Sequence, residues 1–248
     1  TLKQFIYLLP RLVKYNLKII FAGKFIWLLL AAFLFFAYFM FQIAWSRSEV
    51  NEGVVYNLLM FPVSCWCSIL LFLVSRTMRS SRILEILFGI PDYKYKVWGV
   101  RLLMIYVAIF VILIVFSWLA TLLLYPVNLL EMSAQLMFPI LFFGNLAFMF
   151  STITRSGNGT AVLMIIIGIA LLIFSNTPLI ERSFWNILLN PFSIPRNSLP
   201  VIWESIIIKS RIFLLVASTI WMLIGFELAE EGEVCLIASP VETFDSLR

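Results

Sequence analysis

Residues 25 to 45 read "FIWLLLAAFLFFAYFMFQIAW", a stretch without a single charge, and apolar runs of similar length recur along nearly the whole chain. One such run, wound as α-helix, is long enough to cross a hydrocarbon core about 30 Å thick. Several in succession leave no sizeable part of the chain for a soluble domain. The runs are continuously apolar rather than alternating, so they read as helices, the one open-ended structure that satisfies its own backbone in lipid. Composition agrees: hydrophobic residues make up 62% and charged residues 12% of the 248 positions, against about 25% charged in an ordinary soluble domain. The sequence therefore predicts an all-α integral membrane protein forming one transmembrane domain over residues 1–248.

The spans are expected at about 25–45, 54–75, 102–124, 132–153, 160–176 and 211–228. Ahead of the first, residues 1–22 put Lys3, Arg11, Lys14 and Lys18 on one side of a helical wheel and Phe5, Leu8, Leu9 and Leu12 on the other. That pattern suits an elbow helix lying in the membrane interface, with Arg11, Lys14 and Lys18 at the headgroups. It leads into the first span without a small-residue cleavage site, which fits a retained helix rather than a signal peptide. The fifth span holds only about fifteen strongly apolar residues, roughly 23 Å of helix, so something should supplement it. Residues 176 to 210 carry Pro178, Pro191, Pro195 and Pro200 between the amphipathic pieces "SFWNILL" and "VIWESIII", which predicts short re-entrant helices on the outer side. Residues 229–248 form an acidic tail.

Basic residues set the orientation. Five Lys and Arg precede the first span, six lie between spans two and three, and Arg155 follows span four, so twelve share one side. The other side has Arg47, Arg182, Arg196, Lys209 and Arg211, the last two abutting the start of the final span. The richer side is expected to be cytoplasmic, which places both termini inside a plasma or inner membrane. Beside that membrane, a net charge of +5 reads as contact with anionic headgroups and not with nucleic acid.

Much chemistry is missing. The chain has no histidine, which removes His-based acid/base catalysis, Ser-His triads and imidazole metal ligation. No Walker-type phosphate loop occurs, and the only aspartates are Asp92 and Asp245, so no paired-aspartate motif of a lipid-modifying enzyme is present. Cys65, Cys67 and Cys235 follow no disulfide or zinc pattern. Within the spans the polar residues are mild, and no charge is expected near the midplane, where an ion-coupled carrier would hold one. Asn145, beside Gly144 in the fourth span, is the best candidate for a substrate path or dimer interface, followed by Gln135 and Asn57; interhelical packing is the commoner use of such residues.

The charged interruption between spans two and three is the most informative stretch. In "SSRILEILFGIPDYKYKVWGVR", residues 80 to 101, a helix over 82–90 puts Ile83, Leu84, Ile86, Leu87, Phe88 and Ile90 on one arc and Arg82, Glu85 and Gly89 on the other. Arg82 and Glu85 are three apart and can pair, and Pro91 ends the helix. One reading is an interfacial connector. The other is a lever that docks on a cytoplasmic partner through Arg82, Leu84, Glu85, Leu87 and Pro91 and passes motion to the flanking spans.

This stretch resembles the element between the second and third spans of the ABC-2 type transporter permeases, a "TLE-x-LL-x-x-P" pattern followed by a basic residue and a "GK-x-L" helix start. Leu84, Glu85, Leu87 and Pro91 match the first part, and Gly99, Arg101 and Leu102 the second. The family's acidic pair before this element is replaced by "RSSR", and the acids Glu230, Glu231 and Glu233 near the end are outside its pattern. The resemblance implies a non-enzymatic permease subunit of an ATP-binding cassette exporter. It would pair with a second permease subunit, and two cytoplasmic ATPase subunits would bind the ATP and Mg and dock on the elbow and insert helices. The family moves hydrophobic or amphipathic cargo outward. A non-transporting membrane scaffold or anchor of a larger complex is the alternative that the same composition allows.

Overall fold

The computed structural model describes residues 24–45, 50–60, 93–154, 157–175, 177, 180, 183–194 and 199–237. Within them the chain forms six helices and no strand: α1 Lys24–Trp45, α2 over 52–60, α3 Tyr93–Leu123, α4 Leu129–Thr154, α5 Gly157–Ser175 and α6 Pro200–Ile237. Among the described residues three stretches are long and apolar enough to cross a membrane, namely Leu102–Leu123 of α3, the whole of α4, and Pro200–Leu228 of α6. The elbow over 1–22 and the insert helix over 82–90 lie outside the described residues.

The exterior differs from that of a soluble protein, while the interior is apolar with a few polar side chains among it. Large apolar residues such as Leu103, Val107 and Val111 on α3, Ile165 and Ile169 on α5, and Ile212, Val216 and Ile220 on α6 stand exposed, whereas Ser117, Ser133, Asn145, Ser210 and Ser218 are buried. Such a surface is stable against lipid tails and not against water. The protein is a membrane protein by this criterion as well as by helix length.

α4 is the axis of the bundle. Its apolar window is 72% buried, against 39% for α3 and 22% for α6, and it packs most extensively along α6, then along α3 and α5. Pro139 lies within α4 and is buried there, a position a membrane helix tolerates when neighbours surround it. Phe36 and Met40 of α1, Val55, Tyr56 and Leu59 of α2, and Ile105, Ile109 and Leu113 of α3 form one apolar cluster with Leu136, Ile140 and Phe148 of α4. A second cluster joins Phe142, Leu146 and Met149 of α4 to Met164 of α5 and Leu214 of α6.

The turn between α3 and α4 follows from local chemistry. Pro126 cannot continue a helix, and the end of α3 closes with the Leu124 and Tyr125 amides donating to the Ala120 carbonyl. Asn128 then precedes α4, its carbonyl accepting from the Met132 amide at 2.9 Å, while Glu131 sits in the first turn, where the helix dipole favours a carboxylate.

The region after α5 differs from the expected short helices. Over 183–194 the chain makes turns, stepped by amide-to-carbonyl bonds from Ser183 to Ile180, Asn186 to Ser183 and Leu189 to Asn186. "VIWESIII" is not a separate piece: it is the first part of α6, which runs without interruption from Pro200 past Arg211. Proline at a first helical position is pre-organised for the helix and gives up no needed hydrogen bond, so Pro200 starts this helix where the sequence reading took it as one more break. The turns are tied to the end of α5, where Asn186 accepts from the Ser175 hydroxyl at 2.6 Å.

Candidate functional site

Among the described residues three polar centres tie elements of the chain together, and the one that joins the most elements is built on Arg211. This residue is 5% exposed and stands eleven residues into α6, about 16 Å from the helix start. Its Nε donates to Oε1 of Gln135 on α4 at 2.8 Å, and Nη2 donates to the Tyr56 hydroxyl on α2 at 3.3 Å and to the Leu189 carbonyl in the turns over 183–194 at 3.2 Å. The Phe138 ring of α4 lies 5.5 Å from the guanidinium carbon, within cation–π range. One side chain thus ties together α2, α4, α6 and the turns over 183–194.

The charge itself is not cancelled. Gln135, Tyr56 and the Leu189 carbonyl are neutral acceptors, and Nη1 is buried without a hydrogen-bond partner. Among the described residues no carboxylate reaches the guanidinium. Taking a cation out of water costs several kcal/mol even after relaxation, far more than leaving a neutral donor such as the buried indole nitrogen of Trp221 unpaired, at about 1–3 kcal/mol. Arg211 is therefore the most expensive group in the described bundle.

Next to it, Asn190 anchors the turns over 183–194. Its Nδ2 donates to the Gly53 carbonyl at 2.8 Å and to Oδ1 of Asn57 at 3.0 Å, and its own Oδ1 accepts from the Phe192 amide at 3.0 Å. Asn186 closes the same kind of local turn four residues earlier, accepting from the Leu188 amide at 3.0 Å; side-chain amides that bond their own backbone two residues on are what make such turns. Gly53 permits the approach, since a Cβ there would stand 3.3 Å from the Ser193 Cβ and 3.4 Å from the Asn190 amide nitrogen.

The third centre is Asn145, near the middle of α4 and 4% exposed. Tyr106 of α3 donates its hydroxyl to Oδ1 at 2.6 Å, while Nδ2 donates to the hydroxyl of Ser218 on α6 at 2.8 Å and to its carbonyl at 3.2 Å. Both ends of the amide are used, and α3, α4 and α6 are pinned at one level. A lesser contact, Ser117 to Ser133 at 3.4 Å, links α3 and α4 nearer their connecting turn.

Of the residues singled out from sequence, Asn145, Gln135 and Asn57 all sit in these centres. Gln135 and Asn57 belong to the Arg211 and Asn190 groups, and Asn145 is separate, bonded within its own chain. Arg82, Leu84, Glu85, Leu87 and Pro91 of the insert, and Arg11, Lys14 and Lys18 of the elbow, lie outside the described residues. Sequence reasoning missed Arg211, which it assigned to the outer flank of a span with no interior charge; in the structure it is an interior charge. The signal was present. Continuing the helical period back from Leu214 through Ser210 to Trp203, with Pro200 as helix start, puts Arg211 inside the helix on its buried side.

These centres hold no set of three or more potential metal-ligating side chains among the described residues. What they offer is hydrogen bonding and one buried positive charge. In comparisons with protein-family models, characterised proteins and solved structures, nothing matches this chain.

Proposed function

We propose that this chain is the permease subunit of an ATP-binding cassette exporter, moving a hydrophobic or amphipathic substrate outward with ATP hydrolysed by separate ATPase subunits. The observation that carries the reading is the element "SRILEILFGIPDYKYKVWGVRLL" between two long apolar runs, where Leu84, Glu85, Leu87 and Pro91 stand at the positions of the ABC-2 permease pattern. The architecture supports it: a helical bundle with a lipid-compatible exterior and polar side chains gathered around one central helix can present a path to an amphiphile and has no need of its own nucleotide site. In this reading the chain lies in the plasma or inner membrane with both termini cytoplasmic and works as a dimer of permease subunits. Two ATPases, which bind ATP and Mg, dock on the elbow and insert helices. Arg82, Leu84, Glu85, Leu87 and Pro91 form the coupling element.

The test is affinity purification of the full chain from its native membrane in mild detergent, with mass spectrometry of what accompanies it and an ATPase assay of the eluate. A nucleotide-binding subunit and vanadate-sensitive hydrolysis, both absent when the chain is purified alone from a foreign host, support the exporter. Recovery of structural membrane partners with no nucleotide-binding protein overturns it in favour of a scaffold.

A further inference from the structure

Arg211 has five N–H donors, and their use is uneven. Nε–H is taken by Gln135, and Nη2 serves both Tyr56 and Leu189. Each of the two edges by which a guanidinium grips a carboxylate or phosphate with two parallel bonds includes Nη2, so both forks are occupied. Nη1 is left, buried and without a partner, on a group that keeps its whole positive charge because its acceptors are neutral. A site of this kind calls for negative charge delivered through one atom. On the same helix Ile208, Ile212, Leu215 and Val216 are exposed apolar side chains, so an acyl chain can lie along α6 beside it.

We propose that Arg211 is an anion-binding site whose Nη1 takes a single oxyanion oxygen, of the kind carried by a phosphate headgroup or by free phosphate, with Gln135, Tyr56 and Leu189 holding the guanidinium in place. The site binds by point charge and not by a two-oxygen fork. Nothing in this assignment requires that the chain transport anything, and the experiment below reads binding without transport or ATPase activity, so it fails or succeeds apart from the exporter reading.

The full chain is purified in a nonionic detergent as wild type, Arg211→Met and Lys209→Met, the last removing an exposed cation two residues away. One arm adds phosphatidylglycerol or phosphatidylcholine and counts retained lipid by native mass spectrometry. The other adds inorganic phosphate or chloride at matched ionic strength and follows thermal unfolding. The expected result is retention of phosphatidylglycerol by wild type and Lys209→Met, with Arg211→Met weaker by at least about tenfold, a difference of about 1.4 kcal/mol. Phosphate that raises the melting temperature of wild type and not of Arg211→Met identifies a free oxyanion as the ligand instead of a headgroup, and supports the same site. Equal behaviour of wild type and Arg211→Met in both arms overturns the proposal. Should Arg211→Met not fold, wild type against Lys209→Met decides. An anion response kept in Lys209→Met supports the buried site, and one lost there, or absent from wild type, overturns it.

Discussion

Gly225 of α6 is where the two most closely packed helices touch. A Cβ at this position would lie 2.6 and 2.8 Å from Cδ1 and Cε1 of Phe148 on α4 and 3.4 Å from the Met149 Cα. Carbon atoms pack best at about 3.5–4.0 Å, so Gly225→Ala requires the ring and the new methyl to part by about 1 Å. The ring has little freedom to do so. Phe148 is 1% exposed and meets Phe226 edge to face at 5.4 Å between centroids. Overpacking of this kind costs about 1–3 kcal/mol, against about 1 kcal/mol gained from the better helix propensity of alanine. The net expectation is a loss of about 0–2 kcal/mol, with Gly225→Val worse, because it adds two more methyl groups. A double-mutant cycle with Phe148→Ala, measured by denaturant titration in mixed micelles, isolates the contact. Once the ring is gone, Gly225→Ala should become neutral or stabilising, a coupling of about 1 kcal/mol or more. Additivity within about 0.5 kcal/mol, the behaviour of independent sites, would refute the close approach of α4 and α6 at this point.

Three further outcomes are expected. Asn145→Leu breaks the bonds to Tyr106 and Ser218 together and should destabilise the bundle by about 1–2 kcal/mol, given about 0.6 kcal/mol for an average interhelical bond and about 1.7 at most. Tyr106→Phe should cost less by itself and less again in the Asn145→Leu background, read by the same titration. Asn190→Ala removes the donor to Gly53 and Asn57 and the acceptor for the Phe192 amide, so limited proteolysis or hydrogen exchange should speed up over 183–194 while global unfolding shifts by no more than about 1 kcal/mol. Glu85→Arg or Leu87→Asp, in the proposed coupling helix, should lower transport without lowering the amount of chain in the membrane, as judged by quantitative blotting against transport by the same cells.

The general architecture was open to reading because bilayer thickness turns apolar run length into a structural constraint. Continuous apolarity predicts helices, and the described residues form helices joined by turns, with no strand among them. The start of α6 was not read correctly, and the reason is physical. By the rule that charges flank spans, Lys209 and Arg211 read as edge markers, but a buried arginine with three acceptors can sit inside one. Its partners Tyr56 and Gln135 lie 155 and 76 positions away, and nothing local in "KSRIF" announces them. Asn145 was singled out for its position beside Gly144 in a span, but which helices its amide would join is a tertiary fact. The turns at 183–194 were hidden for a different reason: "SFWNILL" has helix-like apolar spacing, and the Asn186 side chain, by bonding the Leu188 amide, closes a turn there instead.

The central claim, that this chain is driven by ATP hydrolysed in another polypeptide, is tested most directly by reconstituting the purified chain in proteoliposomes with the ATPase that the proposal expects to copurify with it, and measuring hydrolysis with and without the chain. The account predicts that the chain stimulates hydrolysis and that Glu85→Arg abolishes the stimulation while leaving the ATPase's basal rate unchanged. Hydrolysis that is indifferent to the presence of the chain, or stimulation that survives Glu85→Arg in full, would contradict it.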